Sequence, residues 1–314
     1  MRTGVIVPVH GWPALLAETL DAILAQDPRP EAVVVVDDGS LQPVTLLDEH
    51  APHCRLVRHP QRRGLAFARA TGLAQLEDCD LVALCDADDV WEPGKHAAQL
   101  AALAAHPDAV ACFGSALVVG LDGRATGERW DEPAAGCHAA AELLPLLYER
   151  NPLCVSSVLL RRAAVVDAGG LEFALPRAED WELWLRLLAR GHAFVMEPRA
   201  RVRYRRSPGA LSADIAGLAS AQLNVHAAHA GLVEEAVRRR VEAADRVALA
   251  RGLVRRRDYD AARVELRRAF ELRPPEPGER ALAAALKVPV LRAALGRREP
   301  YVTPAAGRAR AGAR

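Results

Sequence analysis

Aromatic residues make up only 4% of the 314-residue chain, and methionine occurs twice. A core with so few rings has to be built from Ala, Leu and Val. Lysine is nearly missing too: of 41 basic residues only Lys95 and Lys287 are lysines, an Arg/Ala bias expected of a GC-rich genome, so no single arginine counts for much by itself. The net charge of +1 is too small for a chain built mainly to bind nucleic acid. No C-x-x-C pair occurs among Cys54, Cys79, Cys85, Cys112, Cys137 and Cys154, which argues for reduced core thiols in a cytoplasmic protein. The ten histidines show no metal-ligand spacing. Apolar runs long enough to span a bilayer are lacking; the nearest approach, 281–295, is interrupted by Lys287, Pro289 and Arg292. The first residues lead into a strand with no signal-peptide pattern. Pro8-Val9-His10-Gly11-Trp12 stands where a dinucleotide-binding enzyme would have G-x-G-x-x-G, and no P-loop sequence occurs anywhere. A sugar nucleotidyltransferase would need a glycine-rich loop at the same place.

What is present is an alternation of two periodicities. Gly4–Val9, Ala32–Val36, Cys54–Arg58 and Asp80–Cys85 are short strand-like runs. Helical spacing separates most of them, at 13–26, weakly at 41–53, and at 64–76. This predicts an α/β fold with a mostly parallel sheet flanked by helices. Further along, helices are expected at 92–106, 138–149 and 179–190, and strands at 109–119, 155–161, 193–197 and 201–205. Gly169-Gly170 suits a left-handed helix end.

Charge divides the chain. Residues 1–214 carry 21 basic and 29 acidic side chains, net −8, and 215–314 carry 20 and 11, net +9. We therefore expect a first domain over 1–212 and an all-helical extension over 213–314, broken near Gly231, Gly252, Pro274-Pro275 and Pro289. Within it, 248–274 has the spacing of one tetratricopeptide-like hairpin, too little to bury its own apolar face, so it should pack on the first domain or on a partner. The tail from about 305 is expected to fray.

Three acidic groups sit where loops begin. Asp37 and Asp38 follow the second strand, Asp86, Asp88 and Asp89 follow the fourth, and Glu179 and Asp180 open a helix before Trp181. Each has a plain structural explanation: an Asx turn for the first, a cap on the helix near Glu92 for the second, the helix dipole for the third. Together they suggest more. Two carboxylates one residue apart on a tight turn suit a hard divalent cation, Mn2+ or Mg2+, whose remaining ligands a diphosphate would supply.

In this arrangement the chain resembles the family 2 glycosyltransferases of GT-A fold. The resemblance runs over about residues 3–212, in order: Val5–Val9, Val35-Val36-Asp37-Asp38-Gly39-Ser40, Gly64 to Gly72 with Arg69, the D-x-D sequence Asp86-Ala87-Asp88-Asp89, Ser156 to Gly170, the E-D sequence Glu179-Asp180-Trp181, and Tyr204-Arg205 with Ser212. It implies an inverting hexosyltransferase-type enzyme moving one sugar from a nucleotide-diphosphate sugar, most commonly a UDP-sugar, in glycan, polysaccharide or glycoconjugate biosynthesis. By the same resemblance Pro8 and Val9 would line the nucleoside pocket, Asp37 or Asp38 would bond the base, and Arg69 would hold the nucleotide. Asp86 would face ribose or donor sugar, Asp88 would bind the metal, and Asp180 would be the general base. Glu179 and Trp181 would meet the acceptor, a glycan, a lipid-linked species or a small molecule.

The chain departs from the family pattern at Arg63, Ala70 and Ser207. The last stands near a frequent family histidine, so Arg205 or Arg206 is expected to take phosphate charge instead. The Q-x-x-R-W sequence of processive synthases is missing, which favours single transfer. Trp91 is a further candidate for sugar stacking, and Trp184 is expected in the core. Arg238–Arg240 and Arg255–Arg257 read as solvated helix faces, or as contacts for anionic lipid at the inner face of the membrane. A homodimer through the helical tail is also compatible with the pattern. The non-enzymatic alternative is a scaffold that binds sugar nucleotides and docks partners through its tail.

Overall fold

A computed structural model describes residues 1–11, 13–130, 132–171, 177–206 and 214–289. The positions Ser207 and Ser212, most of the 171–178 loop and the tail from 305 lie outside these residues. The described chain forms two compact units, one of residues 1–171 and 183–206, the other of residues 177–182 and 214–289.

The first unit is a ten-stranded sheet with helices. Its elements are β1 (Thr3–Val9), α1 (Pro13–Leu24), β2 (Ala32–Asp37), β3 (Cys54–Arg58), α2 (Leu65–Ala74), β4 (Leu81–Leu84), β5 (Val90–Trp91), α3 (Lys95–Ala105), β6 (Ala109–Val119), β7 (Ala125–Arg129), β8 (Gly136–His138), α4 (Ala140–Glu149), β9 (Leu159–Arg161), α5 (Arg162–Asp167), α6 (Glu179–Ala189) and β10 (Ala193–Arg205). The strand order is β3-β2-β1-β4-β9-β6-β10-β5, with β7 added beside β6 and β8 beside β10. The ladders β1–β2, β1–β4, β2–β3 and β6–β10 are parallel, and β9 runs antiparallel between β4 and β6. Thus β1, β2, β3, β4, β6 and β10 all point one way. The short strands β5, β7, β8 and β9 run against them. All seven residues of β1 are buried, as its unbroken apolar run requires of a strand covered on both faces.

Four local expectations are revised. The strand expected at 155–161 is a short helical turn, Val155–Ser157, followed by β9. Residues 41–53 hold no helix but an extended stretch and turns, since Pro43 and Pro52 interrupt a segment that already had weak periodicity. The stretches 193–197 and 201–205 form one strand, β10, with a register shift against β6 between Glu197 and Val202. Helix α3 starts at Lys95 after a left-handed Gly94, so Asp88 and Asp89 do not cap it. They sit in the turn before β5.

The shift in β10 brings backbone onto β6 so closely that a Cβ on Gly114 would lie 1.6 Å from the carbonyl oxygen of Ala200. Gly114→Ala should therefore cost about 3 kcal/mol, the upper end for overpacking. A urea midpoint within error of the wild type would contradict this.

Beside the first unit's core lies Lys95, fully buried, its Nζ donating to Gln99 Oε1 at 2.7 Å and standing 3.7 Å from the Trp91 ring centroid. Burial brings its pKa down to about 7. The thiols of Cys85, Cys112 and Cys154 are pushed up, chiefly by burial, Cys112 to about 12. Between pH 7 and 9 the unfolded lysine keeps a proton that the folded one has lost, so stability rises with pH, by at most about 1.4 kcal/mol per unit. Above pH 9 the sign reverses, because unfolded thiols ionise and buried ones do not. Lys95→Met should flatten the rise between pH 7 and 9 in urea titrations; an unchanged slope would refute the assignment.

The second unit contains α7 (Ile215–Ala228), α8 (Glu235–Arg255), α9 (Tyr259–Leu272) and α10 (Pro277–Ala285), with the first turn of α6. The expected hairpin is α8–α9, and Pro274-Pro275 separates α9 from α10. Gly252 does not break a helix. It lies inside α8, where a Cβ would come 2.5 Å from the backbone nitrogen of Ala216, so its lack of side chain lets α7 approach. A core of Ala243, Val247, Ala250, Val254, Ala262, Leu266, Ala269 and Leu286 closes the hairpin from within this unit. The basic runs are partly engaged: Arg239 donates to the carbonyls of Glu271 and Leu272, and Arg256 pairs with Asp214. Among the described residues no helix is long and apolar enough to cross a membrane.

Candidate active site

Parallel register brings the first group of candidates to one edge. Val9 stands beside Asp37, and Asp37 beside Arg58, at the carboxyl ends of β1, β2 and β3. The turn containing Asp86 follows β4 at the same end, and β10 delivers Arg205 there. This is the edge at which ligands bind in open α/β sheets.

Asp37 is fully buried, and its carboxylate accepts from the amides of Ser40 at 2.9 Å and Val44 at 3.2 Å. Burial opposes its charge, but hydrogen bonds from Ser40 and Val44 and the nearby Arg58 outweigh burial and lower its pKa. This is the Asx-turn arrangement. Asp38 accepts from the amides of Arg63 and Gly64, both at 2.8 Å, and lies 2.8 Å from His59 Nδ1. It ties the loop after β2 to the start of α2. His10 meets the backbone carbonyl of Asp38 at 2.9 Å, and the Asp38 amide donates to Val9. The two carboxylates thus fix the loop after β2, while the Asp38 backbone joins that loop to Val9 and His10.

Arg69, on α2 and 2% exposed, donates through Nη2 to Asp86 Oδ1 at 2.6 Å. The Asp86 amide donates to Ser156 Oγ at 3.0 Å. Asp89 is fully buried; burial, then the charges of Asp86 and Asp88, push its pKa well above the ordinary carboxylate range. Such mutual repulsion in one turn is what a divalent cation relieves, and all-oxygen donors suit a hard ion.

Arg205 has a different place from the one expected. It is 4% exposed, with Nε on the Asp88 carbonyl at 2.9 Å, Nη1 on the Leu121 carbonyl at 2.9 Å and Nη2 on Glu18 at 2.6 Å. Each guanidinium nitrogen is committed to protein, so Arg205 braces the D-x-D turn instead of presenting itself to phosphate. Arg206 pairs with Glu128. Trp91 is buried too, its Nε1 donating to the Ser156 carbonyl at 3.0 Å, and offers no stacking face; Trp184 is in the core as expected.

Glu179, Asp180 and Trp181 open α6 and belong to the second unit. Glu179 and Trp181 are 7% and 5% exposed, which leaves little of either for an acceptor in this conformation. Trp181 meets His226 of α7 edge-on at 4.9 Å, and His226 Nδ1 bonds Asp245 of α8. These partners left no mark in sequence, being over forty residues away from Trp181.

Also unread in the sequence is a grouping of Asp21, Glu49 and His50, whose ligand atoms lie within 4.8 Å of one another. Among the described residues it is the one set of three such side chains this close, so Asp86 and Asp88 would supply at most part of a coordination sphere. His50 Nε2 lies 2.8 Å from Asp21 Oδ1, an ordinary His–Asp pair.

The family model for glycosyl transferase family 2 matches residues 4–138, the stretch holding both the Asp37-Asp38 turn and the D-x-D turn. Residues 4–138, under half of the chain, are thus similar to the family 2 glycosyltransferases. A glycosyltransferase of Haemophilus influenzae of uncharacterized activity is 29% identical over 57% of this chain and 66% of its own length. The pre-mycofactocin glycosyltransferase of Mycobacterium tuberculosis is 29% identical over 64% of this chain. The chain thus spans less than two thirds of either relative, 42% of the second. In fold, S. aureus TarS 1-349 in complex with UDP-GlcNAc superposes with a TM-score of 0.65 at 17% identity, covering 94% of this chain and 88% of that one. The GT-A architecture that the resemblance implied is therefore the one found, with helices C-terminal to it.

Proposed function

We propose that this chain is a family 2 glycosyltransferase that moves a single sugar from a nucleoside-diphosphate sugar, in the first instance a UDP-sugar, to an acceptor hydroxyl with inversion at the anomeric carbon. The observation that carries the reading is the Asp86–Asp89 turn. It stands at the carboxyl edge of the sheet, it is not a helix cap, and it gathers three carboxylates, of which Asp86 is held by Arg69. The UDP-GlcNAc complex of the TarS fold supports the choice of donor class.

In this reading Pro8 and Val9, held by the Asp37 and Asp38 loops, flank the nucleoside. Arg69 fixes the Asp86 carboxylate so that it faces ribose or sugar. Asp88, with Asp86, would hold Mn2+ or Mg2+, which when bound supplies neutralisation of the charge on the diphosphate. Asp180 takes the proton of the acceptor hydroxyl as its oxygen bonds to the anomeric carbon. The bond from that carbon to the diphosphate oxygen breaks in the same displacement, and the nucleoside diphosphate leaves. Glu179 and Trp181, both buried, support the first turn of α6 from which Asp180 acts, and do not face the acceptor. A domain boundary near 212 and work on the cytoplasmic side, in solution or at the membrane's inner face, complete the proposal.

The test is release of nucleoside diphosphate from UDP-, dTDP- and GDP-sugars, offered with simple glycoside acceptors, with the product anomer read by NMR. A β-linked product from an α-linked donor supports the mechanism. Retention would overturn it, and nucleotide binding without any turnover would favour a scaffold.

A further inference from the structure

Two residues outside the D-x-D sequence hold most of its turn. Ser156 comes from a short helical turn before β9 and is fully buried. Its hydroxyl donates to Asp89 Oδ2 and accepts from the Asp86 amide at 3.0 Å, so one side chain ties both ends of the turn. Its carbonyl is in turn held by Trp91 Nε1. Arg205 reaches the same turn from the end of β10: its amide donates to Asp89 Oδ1 at 2.9 Å and its Nε to the Asp88 carbonyl at 2.9 Å. Glu18 and Leu121 fix the rest of the guanidinium.

Further contacts hold the turn's backbone. Thr19 Oγ1, on α1, lies 3.0 Å from the Ala87 carbonyl and 2.9 Å from the Asp89 carbonyl, within reach to give its one proton to either, and the Asp89 amide donates to the Asp86 carbonyl at 3.1 Å. A cation at this turn would find its charged donors in the carboxylates. Its geometry would depend on how firmly the turn is held, because small hard ions tolerate little error in ligand position.

We propose that Ser156 and Arg205 are positioning residues that, through Asp89 and the turn backbone, set the direction in which Asp88 and Asp86 offer oxygen to the donor's divalent cation. The proposal rests on the donor-site reading above. Neither residue touches the donor; each acts by fixing a ligand, the role for which loss of a supporting hydrogen bond weakens metal binding about 10- to 100-fold.

The experiment follows free Mn2+ by electron paramagnetic resonance as the ion is titrated into full-length protein with UDP, in wild type, Ser156→Ala and Arg205→Lys. Half-saturating Mn2+ should rise about 10- to 100-fold in both variants, and excess Mn2+ should restore UDP binding to the wild-type level. Restoration separates positioning from general damage, which added metal would not repair. Arg205→Lys keeps the charge and the backbone amide, so it carries the test if Ser156→Ala fails to fold. Titrations that superimpose on wild type, or weak binding that excess Mn2+ does not restore, would overturn the positioning role alone. Wild type that takes up no Mn2+ with UDP, GDP or dTDP would overturn the donor-site reading and this inference with it.

Discussion

Asp88→Ala is expected to lower sugar transfer by about 10³-fold, the loss typical of removing a group that stabilises charge on a departing oxyanion. The fold should survive. The turn's backbone is held by Thr19, Ser156 and Arg205, none of which depends on the Asp88 carboxylate. Circular dichroism and melting temperature should stay near wild type while activity falls. Asp86→Ala should differ: it removes the partner that Arg69 holds at 2.6 Å and leaves a buried guanidinium short of that charge, so its stability should drop as well. A variant at Asp88 that retains a tenth or more of wild-type transfer would exclude this carboxylate from the reaction.

Asp180→Asn should lower transfer by about 10² to 10⁴-fold, the range for losing a general base. The two side chains have nearly the same shape, so packing in the first turn of α6 is conserved. Nucleoside diphosphate affinity should remain that of the wild type, because the donor residues lie in the other unit. The expected signature is a fall in kcat at unchanged donor binding. The opposite pattern, weaker nucleotide binding at unchanged kcat, would move Asp180 to the donor side and remove it as the base.

Strand runs and loop-start acids were legible in the sequence because they obey short-range rules. A β-branched run such as Ala32–Val36 with two acids behind it already places Asp37 and Asp38 at a strand's carboxyl end. The roles within that edge were less legible. Arg205 reads from sequence as a phosphate ligand, yet its guanidinium reaches Glu18, 187 positions earlier, and the Asp88 carbonyl. Ser156 is 70 positions from the amide it holds, so no local pattern marks it. Trp91 illustrates the same gap: a loop-start aromatic suggests sugar stacking until the buried bond to Ser156 is seen. Gly252 reads as a helix break only while the approach of α7 is unknown.

A donor site built on the Asp86–Asp89 turn should grip nucleoside diphosphate through a divalent cation at Asp88. Isothermal titration of UDP, dTDP, GDP and CDP into wild type and Asp88→Ala, with and without Mn2+, tests it most directly. At least one nucleoside diphosphate is expected to bind wild type at least tenfold more tightly when Mn2+ is present, and Asp88→Ala to abolish this gain. Equal affinity with and without Mn2+, or an equal gain in the variant, would contradict it.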